Sequence, residues 1–165
     1  MSKLNDVSNP DGDARSSARV GHVNLKVADL DRALAFYEGV LGLTVTKRLG
    51  NVAAFLAFGK YHHDVCLNTW KSANGNPPAE GTTGLFHVAF LYERSELVSI
   101  YLKLKAAGIA IDELVHHGLS ESIYVRDPDQ NGVELYCDTP ESEWRTPSGE
   151  LKMGHRVLDP ETFLK

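Results

Sequence analysis

One order of secondary-structure signals is written twice along this chain, and that repeat constrains the fold more than any single motif. His22-Val23 and His87-Val88 open the two copies, and Gly42 and Gly108 close their helices, at matched offsets of 65 and 66 residues (87 − 22 and 108 − 42). In the first copy, GHVNLKV (21–27) alternates, with Val23, Leu25 and Val27 on one face and His22, Asn24 and Lys26 on the other, the pattern of a half-buried strand. DLDRALAFYEGVLG (29–42) carries Leu30, Leu34, Tyr37 and Leu41 as a helical stripe, with Asp29 or Asp31 as its cap and Gly42 at its end. LTVTKRL (43–49), VAAFLAF (52–58) and HDVCLNTW (63–70) follow as strands.

The Gly- and Pro-rich linker KSANGNPPAEGTTG (71–84) separates the copies. The second then reads LFHVAFLY (85–92) as a strand and SELVSIYLKLKAAG (95–108) as a helix capped by Ser95 and ended by Gly108. IAIDELVHH (109–117), SESIYVRD (120–127) and GVELYCD (132–138) are strands, and DPDQNG between the last two is a turn. The expected class is therefore α+β, with two pseudo-symmetric βαβββ modules at 20–70 and 85–138. Residues 1–19 are polar and are expected to form a flexible arm. Residues 139–165 form a polar extension with isolated anchors, Trp144, Met153, Leu158 and Phe163, expected to lie across the surface or a neighbouring subunit.

Composition narrows the function. At 165 residues the chain fits one domain or two small modules sharing a core, and 42 % hydrophobic residues exclude a wholly disordered chain. A net charge of −5 with no cluster of Lys and Arg argues against nucleic acid as a partner. No apolar run approaches the roughly 18 residues of a membrane span, and the first residues lack the apolar stretch of a secretory signal. Cys66 and Cys137 make no CxxC or zinc spacing, as expected of a reduced cytoplasmic protein.

The chemistry lies in the histidines and one carboxylate. His22 and His87 sit on the polar faces of equivalent strands, so pseudo-symmetry directs both to one cleft. Glu134 lies between Val133 and Leu135 on the last strand of the second copy, where a charge needs a partner. Two imidazoles and one carboxylate make a facial triad of the kind that holds non-haem Fe(II), with Mn(II) or zinc as other occupants. Equivalence of the last strands sets Cys66 opposite Glu134, either as a fourth ligand or, preferably, as a small buried residue. Strict alternation turns His63 inward with Val65 and Leu67 unless a bulge intervenes, and an imidazole at the start of that strand is suited to proton transfer. Tyr124, ten residues before Glu134, falls beside it across a hairpin, where its hydroxyl can donate into the cleft. His117, before Gly118, is placed at the cleft mouth.

These segments together resemble a known family. GHVNLKVADLDRALAFYEGVLGL, YHHDVCLNTW, LFHVAF, GLSESIYVRDPDQNGVELYCDTPESEW and ELKMG look like the vicinal oxygen chelate (glyoxalase/bleomycin resistance/dioxygenase) superfamily, across roughly residues 20–160. Within it they are most similar to the single-domain catechol 2,3-dioxygenase (type I extradiol) group. The resemblance implies an open, cup-shaped mixed sheet around Fe(II) held by His22, His87 and Glu134, with His63 as acid/base, Tyr124 as hydrogen-bond donor and His117 as a further active-site histidine. It implies a homodimer or larger homo-oligomer acting on a small aromatic diol and dioxygen, inserting both oxygen atoms to give a ring-opened semialdehyde. The rival readings are a glyoxalase-like or thiol-transferring metalloenzyme, which needs a fourth protein ligand where Cys66 stands, and a metal-free binding (resistance) protein, which lacks the triad.

Overall fold

A computed structural model describes residues 18–165. The expected arm falls mostly on residues 1–17, outside the described residues. The first module runs β1 (Val23–Lys26), α1 (Leu30–Tyr37), β2 (Thr44–Leu49), β3 (Ala53–Ala57) and β4 (Val65–Asn68). The second repeats the order as β5 (Val88–Leu91), α2 (Arg94–Ala106), β6 (Ile111–His116), β7 (Ser120–Arg126) and β8 (Gly132–Asp138). The repeat read from the sequence is thus a repeat of structure.

The sheets are also equivalent. One has the strand order β1-β4-β3-β2; the other is β5-β8-β7-β6, extended by β9 (Arg156–Val157). In each, the first strand runs parallel to the last, Val23 opposite Val65 and Val88 opposite Val133, while the other pairs are antiparallel. The expected mixed sheet is therefore two mixed sheets, one per module, and β1 and β5 are both edge strands. Their inner faces and the helices share one continuous apolar core that includes Leu25, Val27, Leu34, Leu56 and Leu67 from one module and Leu97, Leu104, Ile123 and Leu135 from the other.

The helix caps refine the sequence reading. Asp29 caps α1 by accepting from Arg32 N, but α1 ends at Tyr37, and Gly42 closes a following turn at φ +85. α2 starts earlier than Ser95 implied: Glu93 is its N-cap, in a reciprocal capping box with Glu96. Gly108 follows it at φ +67.

The DPDQNG turn joins the modules. Asp127, 1 % exposed, accepts hydrogen bonds from Tyr37 OH of α1 (2.9 Å), from the backbone N–H groups of Asp129 and Asn131, and from Asn131 Nδ2. Asp129 accepts from Ala28 N and pairs with Arg32 at 2.5 Å. Burial, and then the neighbouring Asp127 charge, push the Tyr37 hydroxyl far above its ordinary pKa, so it remains a donor.

The extension departs from the expected loose tail. Met153 is 74 % exposed and anchors nothing, while Leu158 and Phe163 are buried. A single 3-10 turn (Glu141–Glu143), β9 and a short helix α3 (Pro160–Phe163) bind it to the second module. Isolated apolar residues in a polar run carry no periodicity, so only the tertiary packing reveals which of them are anchors. Phe163 is fully buried against Tyr101, and the Arg94 guanidinium lies 4.7 Å above its ring. Phe163→Ala is expected to cost about 3–5 kcal/mol in urea unfolding; a loss below about 1 kcal/mol would mean the extension contributes no packing.

Candidate metal centre and active-site cleft

Strand register delivers the central pair. Ala89 of β5 lies opposite Glu134 of β8, and His87 precedes Ala89 by two residues, so its side chain stands on the face of Glu134. The backbone before His87 is seated by Gly132: a Cβ there would lie 2.2 Å from the Phe86 carbonyl oxygen, a distance no other residue tolerates. His87 Nε2 then meets Glu134 Oε2 at 3.1 Å. The second carboxylate oxygen, Oε1, accepts from Ser122 Oγ (2.7 Å) and Tyr124 OH (2.9 Å). Tyr124 stands directly opposite Glu134 in the β7–β8 ladder, as the ten-residue spacing requires. Beyond it, His117 Nε2 lies 2.8 Å from the Tyr124 oxygen. Burial first, then the hydrogen bond to Glu134 and its charge, push the Tyr124 pKa up to about 12, so the phenol keeps its proton.

His87, Tyr124 and His117 line a cleft of about 410 Å³ with Phe86, Glu113, Arg126 and His155. Phe86 is 81 % exposed at its edge, an aromatic face turned to solvent.

The first module holds its histidines separately. His22 lies against His63 with ring centroids 4.5 Å apart and planes tilted by 50°, and the Nδ1 atoms of His62 and His63 are 2.6 Å apart. His63 also packs edge-on against Phe55, which pairs with Cys66, so it stands on the His22 face and not with Val65 and Leu67. The reason is local: β4 begins at Val65, and Asp64 forms a bend, so strand alternation does not extend back to His63. Desolvation, then the neighbouring His22 and His62, hold the His63 pKa below its ordinary value. Because folding disfavours its protonated form, His63 subtracts from stability as pH falls through the unfolded-state value of about 6.5. In histidine-resolved NMR titration, His63 is expected to protonate at lower pH than a free imidazole; protonation at or above the free value would contradict this environment.

The structure therefore brings His87, Glu134, Tyr124 and His117 into one connected set and places His22 with His63. Among the described residues, no three His, Cys, Asp or Glu side chains lie close enough to share one ion. The second-module pair fits a divalent metal by separation: two ligand atoms about 2.1 Å from one ion at a right angle lie about 3 Å apart, against the 3.1 Å between His87 and Glu134. His87 Nδ1 is buried and has no hydrogen-bond partner among the described residues, so Nε2 is the ring's engaged atom. Cys66 is 1 % exposed and burial raises its thiol pKa, which suits the small buried residue rather than a thiolate ligand.

A two-module βαβββ chain of this kind has counterparts among known proteins. The family model for the Glyoxalase/Bleomycin resistance protein/Dioxygenase superfamily matches residues 19–135. The chain belongs to this superfamily. Its relatives include catechol-2,3-dioxygenase of Bacillus subtilis (strain 168), 36 % identical over 149 residues, 88 % of this chain and 51 % of that protein. Biphenyl-2,3-diol 1,2-dioxygenase 3 of Rhodococcus globerulus is 35 % identical over 80 % of this chain and 71 % of its own length. Glutathione transferase FosA of Serratia marcescens is 30 % identical over 71 % of this chain and 79 % of its own. The chain thus spans about half the length of the Bacillus relative. Among solved structures, a glyoxalase/dioxygenase from Nostoc punctiforme shares the superfamily fold at a TM-score of 0.63 and 21 % identity, over 83 % of this chain and 99 % of that one. Among the described residues, no helix is long and apolar enough to cross a membrane.

Sequence reasoning overlooked Ser122, fully buried and bonded to Glu134. Its signal was present: it shares Tyr124's face of β7, two residues earlier. It also overlooked His155, whose position on an irregular segment carried no such signal.

Proposed function

We propose that the chain is an Fe(II)-dependent extradiol ring-cleaving dioxygenase acting on a catechol-type substrate. The observation that carries this reading is the connected set His87–Glu134–Tyr124–His117, an imidazole–carboxylate pair hydrogen-bonded to a phenol and a second imidazole, three of which line a cleft with an aromatic lip. Ring cleavage of a diol needs both: a site for two oxygens side by side and groups that take up and return their protons.

We assign His87 and Glu134 as the ligands of the second module, and His22, which stands with His63 and not with this pair, as the ligand that the first module would bring to them. Bound there, the metal would orient diol and dioxygen and pass electron density between them. Ser122 and Tyr124 fix the Glu134 carboxylate by engaging Oε1, which leaves Oε2 to face His87. Phe86 offers a flat apolar surface to the substrate ring. His63, whose pKa is lowered by desolvation and then by His22 and His62, is the group we assign to accept a catechol proton and return it as the ring opens. Tyr124, protonated at neutral pH, donates its one proton to Glu134 Oε1 and so holds the carboxylate in place.

Comparison of His63→Ala with the unaltered chain, both loaded with Fe(II), tests these roles. The variant is expected to keep its iron and to lose about 10²–10⁴-fold in turnover. Loss of iron instead would make His63 a ligand or a structural residue and overturn its assignment as acid/base.

The similarity to a glutathione transferase favours a second reading, metal-assisted attack of a thiol on a small electrophile. Thiol consumption by the metal-loaded chain, without oxygen uptake, would favour it.

A further inference from the structure

The loop between β3 and β4 carries two adjacent imidazoles that a strand would send to opposite faces. His62 and His63 lie outside both strands, among the bends that precede Val65, so alternation does not govern them. The loop is tied down along its length. Phe58 N donates to Asp64 Oδ2 at 3.0 Å, Asp64 N donates to Leu56 O at 2.8 Å, and Thr46 Oγ1 of β2 donates to the His62 carbonyl at 2.7 Å. The rings are held as well. His62 lies against Tyr61 with ring centroids 4.0 Å apart, and His63 packs edge-on against Phe55. Held this way, the two Nδ1 atoms face each other at 2.6 Å.

Two bare nitrogen lone pairs repel at that distance. In the metal-free chain a shared proton resolves this, one Nδ1–H donating to the other Nδ1. The same pair is a chelate. Two ligand nitrogens about 2.1 Å from one ion lie about 3 Å apart at a right angle and about 3.4 Å apart in a tetrahedron, so the pair has to open by less than about 1 Å. His62 is exposed, so its ring swings outward without disturbing the core, and water completes the coordination. Imidazole nitrogens suit Zn²⁺, Ni²⁺ and Cu²⁺, whereas Mg²⁺ and Ca²⁺ take oxygen ligands. The pair belongs to the first module and shares no atom with His87 or Glu134.

We propose that the Nδ1 atoms of His62 and His63 form a second metal site, for a borderline divalent cation such as zinc, whose occupancy withdraws His63 from proton transfer. A metal on Nδ1 displaces the shared proton and leaves the neutral ring with its proton on Nε2, so no ring nitrogen remains to accept another. The site itself stands on the geometry of the loop; its inhibitory consequence rests on the assignment of His63 as acid/base.

The test is zinc titration of the full chain against a chromophoric chelator, with elemental analysis. The unaltered chain is expected to bind two zinc ions, and Glu134→Gln to keep the one at the histidine pair. Adding His62→Ala to Glu134→Gln is expected to weaken that remaining site at least about tenfold. Undiminished zinc binding in the doubly altered chain overturns the site and leaves the pair a shared proton only. In the Fe(II)-loaded chain, zinc at levels that leave the iron content unchanged is expected to slow catechol cleavage. His62→Ala, measured against its own zinc-free rate, is expected to need at least about tenfold more zinc for half-inhibition. Equal sensitivity of the two proteins overturns the inhibitory role. Zinc binding that depends on His62, in a chain that cleaves no catechol, supports the site and overturns the dioxygenase reading instead.

Discussion

Glu134→Gln, at the carboxylate proposed as a metal ligand, is expected to abolish metal binding at that site and the proposed turnover while leaving the fold intact. The carboxylate has two engaged oxygens, Oε2 toward His87 Nε2 at 3.1 Å and Oε1 accepting from Ser122 and Tyr124. An amide of the same shape carries no charge, and one of its two ends is an N–H₂ donor. Facing Ser122 and Tyr124, that end opposes two hydroxyl donors; facing His87, it removes the lone pairs that a metal needs. Because groups that merely orient a ligand already cost 10–100-fold in affinity, removal of the ligand itself is expected to cost at least about 100-fold. Metal titration with elemental analysis checks the loss, and circular dichroism checks the fold. Undiminished metal affinity would show that Glu134 serves only as the ion-pair partner of His87.

A stability effect as large as that at Phe163 is expected at Asp127. Its buried carboxylate accepts four hydrogen bonds, and one of these, from Tyr37, ties the helix of the first module to the last turn of the second. Asp127→Ala leaves the Tyr37 hydroxyl, itself fully buried, and two backbone N–H groups without acceptors. At about 1–3 kcal/mol for each buried donor left unpaired, these three are expected to cost at least about 3 kcal/mol together. Asp127→Asn, which keeps an acceptor oxygen, is expected to cost less. Urea unfolding measures both; a loss below about 1 kcal/mol for Asp127→Ala would mean that the modules are held by their apolar core alone.

Much of this arrangement was legible because it follows from periodicity. Alternation placed Val23, Leu25, Val133 and Leu135 in the core and set Glu134 and Tyr124 on the opposite face, and the β7–β8 register confirms their pairing. What the sequence hid is what alternation does not govern. His63 lies outside β4, so counting along the strand turned it the wrong way. His22 stands against His63 because β1 and β4 are neighbours in one sheet, and how it stands to the second module's pair depends on how the two sheets face one another, which neither module encodes alone. The extension reads as polar chain because its contacts are backbone groups, such as the Gly154 carbonyl, and two scattered anchors, Leu158 and Phe163.

The dioxygenase reading is tested most directly by anaerobic loading with Fe(II), followed by air and a panel of simple, carboxylated and bicyclic catechols, with visible absorbance and oxygen uptake recorded together. The expected result is a yellow semialdehyde with one dioxygen consumed per catechol cleaved. Bound iron with neither product nor oxygen uptake across the panel would contradict it.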